Sequence, residues 1–289
     1  MQVQSMYKLI ENCFREYGKK IKSVRFLSAV ALMVALICAI ATGIDRLILD
    51  KQEQITPWMA PHFFDNVFFV TFYGFIICYM YSDVPFMNRS ELYRILREGR
   101  VLWCIEKMIS IVMQAFTMTA LTMVASILIF IPMVQFEWDW GKIIYTMAFS
   151  NNLYDYDIFG NVSPVILSKY TPIQAMLLCF LVVWLVSSLI GLLMFGISLY
   201  SNRVFAVAVA VGLTGMNLSE MKFWTATWLP YVTPFYWCRM SIYGGQIFGN
   251  RYYPSLKFYL ILTGIGILLL IVGIMLRAKH IEYIWNKEE

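Results

Sequence analysis

Charged residues are scarce in this chain: they make up only 14% of its 289 residues, while hydrophobic residues make up 60% and aromatic residues 17%. Soluble globular proteins carry about 25% charged residues, and one soluble domain with this surplus of apolar side chains would expose large apolar patches to water. The apolar residues also fall into blocks. This composition indicates a polytopic helical membrane protein, and the scatter of positive charge at the ends of the blocks argues against a nucleic-acid partner.

The motifs of several catalytic classes are missing. The chain has no GxxxxGK[ST] phosphate-binding loop, no HExxH zinc motif, no CxxC pair and no GxSxG nucleophile motif. Its two histidines, His62 and His280, are expected on opposite sides of the membrane, so they cannot share a metal ion. We therefore predict that the chain is not an enzyme by itself and has no catalytic, cofactor-binding or metal-binding residues.

The apolar blocks are also nearly free of ionisable side chains. A charge at the centre of a bilayer costs at least about 2.5–3.5 kcal/mol, so ion-coupled transporters keep such residues only where they use them. The blocks offer hydroxyl groups such as those of Thr71 and Thr214, but no carboxylate relay. Energy for any transport must therefore come from another protein.

Six blocks approach the length of about 20 apolar residues that a helix needs to cross a bilayer. Backbone polar groups in lipid must be paired within the segment, so we expect each block to be helical. The chain is thus predicted to be an all-α membrane protein with six transmembrane helices, at residues 26–44, 63–81, 109–131, 173–199, 204–218 and 258–276.

The distribution of lysine and arginine predicts the orientation. With both termini in the cytoplasm, the inner segments hold roughly twice as many of these residues as the outer segments, in agreement with the positive-inside rule. We expect a multi-pass protein of the plasma membrane of a bacterial cell, with a cytoplasmic loop at 82–108 and extracellular loops at 132–172 and 219–257.

Residues 1–25 form an amphipathic segment ahead of the first span. Apolar residues recur three or four positions apart, as on one face of a helix, and basic residues occupy the other face. This pattern predicts an N-terminal helix in the membrane interface. The helix is either a simple anchor or a lever that contacts a cytoplasmic partner. The apolar stripe consists of Tyr7, Ile10, Phe14, Tyr17, Ile21 and Val24.

The cytoplasmic loop contains a short helix with clear start and stop signals. Ser90 is the expected N-cap of a helix that begins at Glu91, and Gly99 is the expected stop. A positive-inside loop in solvent would explain the charges alone, but the compact apolar patch favours docking on a soluble protein. The predicted docking residues are Glu91, Leu92, Arg94, Ile95, Leu96 and Arg97.

The outer segment 219–257 is unusually aromatic for a loop. Thr233 and Pro234 form a helix start, and Pro230 interrupts any helix that continues from Glu220. We predict re-entrant half-helices before the sixth span, with Arg239 paired with Glu220 or stacked on aromatic rings. The alternative is an aromatic belt at the membrane interface.

These features together resemble the ABC-2 type permeases of ATP-binding-cassette exporters. The local match is Glu91-Leu92 at the start of the short helix, a break, and then Arg100 and Lys107 leading into the third span. The family usually has proline or a small residue at the break, where this chain has Gly99. The overall architecture covers nearly the whole chain.

The resemblance implies that residues 91–98 are a coupling helix on a separately encoded ATPase subunit, which would hold the ATP and Mg²⁺. Two permease copies, identical or paralogous, would complete the exporter. The substrate path would lie between them, along the second and fifth spans, with polar contacts from Asn66, Thr71, Thr214 and Asn217. The resemblance implies no cofactor in this chain.

An apolar, aromatic path suits an amphipathic or hydrophobic cargo. We favour a peptide such as a bacteriocin or toxin over a drug or a lipid. Two other functional classes stay open: an ion-coupled secondary carrier, and a non-transporting membrane anchor or immunity protein.

Overall fold

A computed structural model describes residues 2–86, 89–131, 133–149, 162–221, 228–245 and 253–279. These residues are mostly helical and include no β-strand. In chain order the helices are α1 (Gln2–Ile21), α2 (Val24–Lys51), α3 (Ala60–Asp65), α4 (Val67–Met80), α5 (Arg89–Glu98), α6 (Arg100–Leu128), α7 (Lys142–Phe149), α8 (Pro164–Lys169), α9 (Pro172–Tyr200), α10 (Arg203–Gly215), α11 (Leu229–Val232) and α12 (Leu256–Ala278).

Four of these helices, α2, α6, α9 and α12, are long and apolar enough to cross a membrane. They correspond to the predicted spans at 26–44, 109–131, 173–199 and 258–276, and their length and apolar composition indicate a membrane protein. The predicted spans at 63–81 and 204–218 correspond to the shorter apolar helices α4 and α10.

The predicted second span, 63–81, whose apolar run begins at Val67 after Asp65 and Asn66 in the sequence, is divided between two helices, α3 and α4. The chain breaks at Asn66, whose backbone is extended between α3 and α4. The Asn66 side chain accepts hydrogen bonds from the backbone N–H groups of Phe68 (2.8 Å) and Phe69 (3.2 Å). An asparagine that caps a new helix in this way ends the previous one, because its side chain satisfies donors that a continuous helix would satisfy internally.

Helix α9 lies at the centre of the molecule and packs against α4, α6, α10 and α12. Gly191 lies at the contact of α9 with α6, next to Tyr81 and Ile111. Tyr81 is fully buried, and its hydroxyl donates to the backbone oxygen of Ile111 at 2.8 Å. This hydrogen bond holds the ring at the contact point, so Gly191 is required for the helices to meet.

A cap of loops and short helices covers one end of the bundle. Ile55 forms a backbone bridge with Val134, and the Trp58 indole donates to the backbone oxygen of Glu137 at 2.8 Å. Inside the cap, His62 is buried with its ring 5.0 Å from that of Trp140. Part of the predicted outer loop 132–172 is therefore ordered into α7 and α8, while residues 150–161 lie outside the described residues.

Addition of a Cβ atom at Gly191 should disturb this contact. The new atom would lie 2.6 Å from Ile111 Cγ2 and 2.8 Å from Tyr81 Cε2, so Gly191→Ala should lower the free energy of unfolding by about 1–3 kcal/mol. In Gly212→Ala, the matched control in α10, the Cβ meets nothing within 4 Å. The control should be neutral or slightly stabilising, because alanine favours helix. Denaturant unfolding in detergent compares the two, and equal stability of both variants would contradict this packing.

Burial of His62 inside the cap should lower the stability of the protein at acidic pH. Burial lowers the pKa of His62 from 6.5 to about 3, so below pH 6.5 the unfolded chain takes up a proton that the folded chain does not. Stability should then fall by about 1.4 kcal/mol per pH unit from this group between pH 6.5 and pH 3.

The comparison of wild type with His62→Phe tests this. Melting temperatures in detergent at pH 7.5 and pH 5 should show a smaller acid loss for the variant, since phenylalanine binds no proton. An identical acid loss in both proteins would show that His62 is not the group responsible.

Candidate functional site

The short helix α5 is separated from α6 by a single residue. Gly99 has a φ of +91°, which side-chain-bearing residues rarely adopt, and it allows the chain to turn between the two helices. The predicted stop at Gly99 is confirmed. The predicted N-cap at Ser90 is wrong, because the helix already begins at Arg89.

The two faces of α5 have different surroundings. Glu91 and Ile95 are buried against the rest of the protein, while Tyr93 and Leu96 are 76% and 84% exposed. Arg97 is also exposed, and the side chain of Leu92 lies outside the described residues. The apolar patch that the sequence predicted is therefore divided: Ile95 anchors the helix, and Leu96 faces outward.

Arg94 belongs to a cluster of ionic side chains between α1, α5 and α6, which we call the junction cluster: Glu16, Glu91, Arg94, Glu106 and Lys107. The Arg94 guanidinium contacts three carboxylates. Its Nη1 lies 2.8 Å from Glu16 Oε2 and 3.6 Å from Glu91 Oε1, and its Nη2 donates to Glu106 Oε2. Arg94 therefore points into the protein.

Lys107 is the second cation of the junction cluster. Its Nζ lies 3.1 Å from Glu91 Oε2 and also donates to Glu16 Oε1. The Trp103 indole donates to Glu91 Oε2 at 2.8 Å. Each carboxylate is thus held by at least one cation, and Glu91 and Glu16 are each held by both.

The junction cluster is almost completely inaccessible to water. The side chains of Lys107 and Glu106 are 1% and 0% exposed, and that of Glu16 is 4% exposed. Burial alone would raise the pKa of Glu16, but the charges of Lys107 and Arg94 outweigh it and hold the pKa below its ordinary value. Glu16 is therefore ionised at neutral pH.

A second ionic contact continues from the junction cluster toward the end of α4. The Lys20 ammonium lies 2.8 Å from Asp83 Oδ2 and 3.8 Å above the centre of the Phe86 ring. Burial lowers the pKa of Lys20, and Asp83 partly offsets this. Lys107 of α6 lies near the same ring, with its Nζ 5.8 Å from the ring centre. The Phe86 ring therefore lies between the cations of α1 and α6, and α1 is attached both to the segment that follows α4 and to the start of α6.

Sequence reasoning missed Glu16, Glu106 and Trp103. The predicted apolar stripe of α1 coincides only in part with its buried face among the described side chains: Tyr17 and Ile21 are half-buried, Phe14 is 59% exposed, and Cys13 and Glu16 are buried. The adjacent charges of Glu106 and Lys107, directly ahead of an apolar block, were the available signal. Charges at that depth are costly unless they are paired.

The four predicted path residues lie on α4, on α10 and on the 3₁₀ turn Met216–Met221 that follows it. Thr71 and Thr214 are buried and donate to carbonyl oxygens of their own helices. Asn66 caps α4. Asn217 is buried, and within the described residues its amide atoms have no hydrogen-bond partner. Helices α4 and α10 pack against each other, so the four residues lie on two neighbouring helices or at their ends.

In the described residues 228–245, the predicted half-helices are represented by three short helical elements, and their re-entry into the membrane stays a prediction. They are α11 and the 3₁₀ turns Pro234–Cys238 and Met240–Ile242, and both 3₁₀ turns are buried. Pro234 begins its turn after Thr233 as predicted.

Arg239 connects these turns to α3. Its Nε donates to the backbone oxygen of Asp65 at 3.0 Å, and its guanidinium lies 5.1 Å from the centre of the Tyr236 ring. The Glu220 side chain, the other predicted partner, lies outside the described residues. Stacking on Tyr236 supports the burial of this charge.

The comparisons with known proteins identify no relative of this chain. No family model, no curated protein and no solved structure matches this chain. Within the described residues, no group of three His, Cys, Asp or Glu side chains is placed to hold a metal ion. The chemistry that these side chains support is ionic attachment of helices to one another.

Loss of one cation should destabilise the junction cluster severely. Lys107→Met leaves Glu16, Glu91 and Glu106 with Arg94 as the one remaining cation of the junction cluster, and the break-up of a buried ion pair typically costs about 3–5 kcal/mol. The matched control is Arg15→Met, which breaks the exposed Arg15–Glu11 pair on α1, the helix that carries Glu16. This change should cost less than about 1 kcal/mol. Denaturant unfolding in detergent measures both. Equal losses would mean that the junction cluster is solvated.

Proposed function

We propose that this chain is the transmembrane permease subunit of an ATP-binding-cassette exporter of the ABC-2 type. Its own residues perform no catalysis. A separately encoded ATPase subunit, which holds ATP and Mg²⁺, binds the outward face of α5. A second permease copy, identical or paralogous, completes the exporter in the plasma membrane of a bacterial cell. The chain binds no nucleic acid.

Helix α5 is the feature that supports this function most directly. It presents Tyr93, Leu96 and Arg97 outward, while its opposite face is attached through Arg94 and Glu91 to α1 and α6. A displacement of α5 alone would separate buried opposite charges, which costs several kcal/mol. A force on the exposed face therefore moves α1 and the start of α6 together with α5.

Six spans are part of the proposal. Helices α4 and α10 have 14 and 13 residues, which correspond to roughly 20 Å each and fall short of a hydrocarbon core of about 30 Å. The proposed span at 63–81 also includes the α3 residues from Phe63 onward, which leaves His62 outside it, and the 3₁₀ helix Met216–Met221 follows α10. With these additions, both segments are long enough to cross the membrane. Together with the four long helices they make six spans, which place both termini in the cytoplasm.

The cargo is an amphipathic or hydrophobic molecule, and we favour a peptide over a drug or a lipid. It moves between the two permease copies along α4 and α10, past Asn66, Thr71, Thr214 and Asn217. The position of the carboxylates of the junction cluster supports this function over that of an ion-coupled carrier, and the other buried carboxylate of the described residues, Asp65, accepts a hydrogen bond from the backbone N–H of Ser241. Glu16, Glu91 and Glu106 lie together at the junction of α1, α5 and α6, each beside a cation, and they do not form a relay along the spans.

Charge on the outward face of α5 should release the ATPase subunit. Leu96→Glu places a carboxylate where an apolar contact is proposed, and Trp138→Glu is the control, because Trp138 is 75% exposed beyond the far end of α6. Tagged wild-type protein and the control, purified from native membranes, should each bring a P-loop ATPase with measurable ATP hydrolysis. Leu96→Glu should bring less than a tenth as much at an unchanged melting temperature.

Three results would contradict the proposed function. The first is an ATPase yield that is the same for Leu96→Glu as for wild type. The second is transport of cargo into liposomes by the purified chain on an ion gradient alone, which would identify a secondary carrier. The third is a bound partner with no nucleotide-dependent flux, which would identify an anchor or immunity protein. ATP turnover that rises with lipids or drugs and ignores amphipathic peptides would contradict the peptide preference only.

A further inference from the structure

A cleft of about 310 Å³ opens where α9 and α12 end and α10 begins. Its walls are apolar apart from the hydroxyl groups of Tyr200 and Ser201, and include Gly196, Phe205, Leu269 and Gly273. Helices α10 and α12 both pack against α9, so the cleft lies beside the central helix between its two neighbours. A methylene group is close in size to a water molecule, whose share of liquid volume is about 30 Å³. The cleft therefore accommodates roughly ten methylene groups.

The cleft has a cation fixed at its rim. Arg277 Nε donates to the backbone oxygen of Leu199 at 3.2 Å, and the guanidinium lies 5.4 Å from the centre of the Tyr200 ring. Tyr200 is itself a wall of the cleft, and its hydroxyl donates to the backbone oxygen of Gly273 at 2.8 Å. Lys279, which is exposed, follows two residues later.

Most N–H donors of the Arg277 guanidinium are not used by the hydrogen bond to Leu199. A guanidinium carries five N–H donors, of which the hydrogen bond to Leu199 uses one. Among the residues that the structure describes, no carboxylate lies within salt-bridge distance of Arg277. The remaining donors match the geometry of a phosphate group, which arginine binds through two parallel hydrogen bonds.

We infer that this cleft binds an anionic phospholipid, with one acyl chain between α9, α10 and α12 and its phosphate on Arg277. An apolar cleft of this volume with one cation at its rim is complementary to a lipid whose acyl chain is attached to an anionic headgroup. A flat protein partner would leave the cleft unfilled. The inference depends on α9 and α12 crossing a membrane and does not depend on an ATPase subunit, so failure of one proposal leaves the other standing.

Gly273→Leu tests the acyl-chain part of the site. Gly273 lines the cleft, and a Cβ at this position meets nothing within 4 Å, so a leucine side chain there should occupy part of the cleft volume. Gly264→Leu is the matched control on the same helix, because its Cβ also meets nothing within 4 Å and Gly264 is not part of the cleft. Native mass spectrometry with added palmitoyl-oleoyl phosphatidylglycerol should show one tightly bound lipid for wild type and the control, and about tenfold weaker binding for Gly273→Leu.

Arg277→Gln tests the headgroup part without altering the cleft. It should weaken phosphatidylglycerol binding about tenfold, the loss expected for one charge-assisted hydrogen bond, and leave phosphatidylcholine binding unchanged. The control is Lys257→Gln, at the opposite end of α12, which should have no effect on either lipid.

Three results would overturn the inference. One is equal binding of the two lipids to the wild type. Another is phosphatidylglycerol binding by Gly273→Leu and Arg277→Gln at the wild-type level. The third is a loss of dimer mass in Gly273→Leu at unchanged lipid binding, which would assign the cleft to a second copy of the chain. Melting temperatures close to that of the wild type confirm that each variant is folded.

Discussion

The pairing of three buried carboxylates with two buried cations is the constraint on which the rest of this structure depends. Arg94 and Lys107 neutralise Glu16, Glu91 and Glu106 where α1, α5 and α6 meet. Removal of these charges from water is unfavourable, and only their mutual attraction and hydrogen bonds compensate for it. One of the three helices therefore cannot leave the others without leaving buried charges unpaired. As a result α5, which has few contacts of other kinds, is held in a fixed orientation with Leu96 outward.

The ionic attachment of α1, α5 and α6 to one another differs from the interactions in the other regions of the chain. The cap around His62 and Trp140 is held by hydrogen bonds from indole and hydroxyl groups to backbone oxygens, and no buried charge is involved in these bonds. The cleft beside α9 is a third kind of surface, apolar and open. In the function and the lipid site that we propose, each region has a different neighbour: a soluble ATPase subunit at α5, the aqueous phase at the cap, and a lipid at the cleft. A permease that takes its energy from a separate subunit needs surfaces of these kinds.

Sequence reasoning predicted the features that depend on local signals. The long apolar runs of α9 and α12, the stop at Gly99 and the start at Pro234 are readable because length, φ preference and proline geometry act within a few residues. The start of the apolar run at Val67 was readable from the polar pair Asp65-Asn66, and α4 begins there. The capping role of Asn66 was not predicted, because asparagine in an apolar run is also compatible with a buried position in a continuous helix. The junction cluster was missed for another reason: Glu16 and Lys107 are 91 residues apart, and helical periodicity does not determine which face of α1 contacts α6. Arg94 appeared to be a surface residue for the same reason.

Hydrogen–deuterium exchange of the chain in a lipid nanodisc tests the central claim most directly, because it measures the opening of each helix separately. If the junction cluster makes α1, α5 and the start of α6 one unit, the amides of α5 in the wild type should be protected to the same degree as those of α1 near Glu16. In Glu106→Gln, both sets should lose protection together while α12 is unchanged. Rapid exchange throughout α5 in the wild type, or loss of protection in α5 alone, would contradict the account.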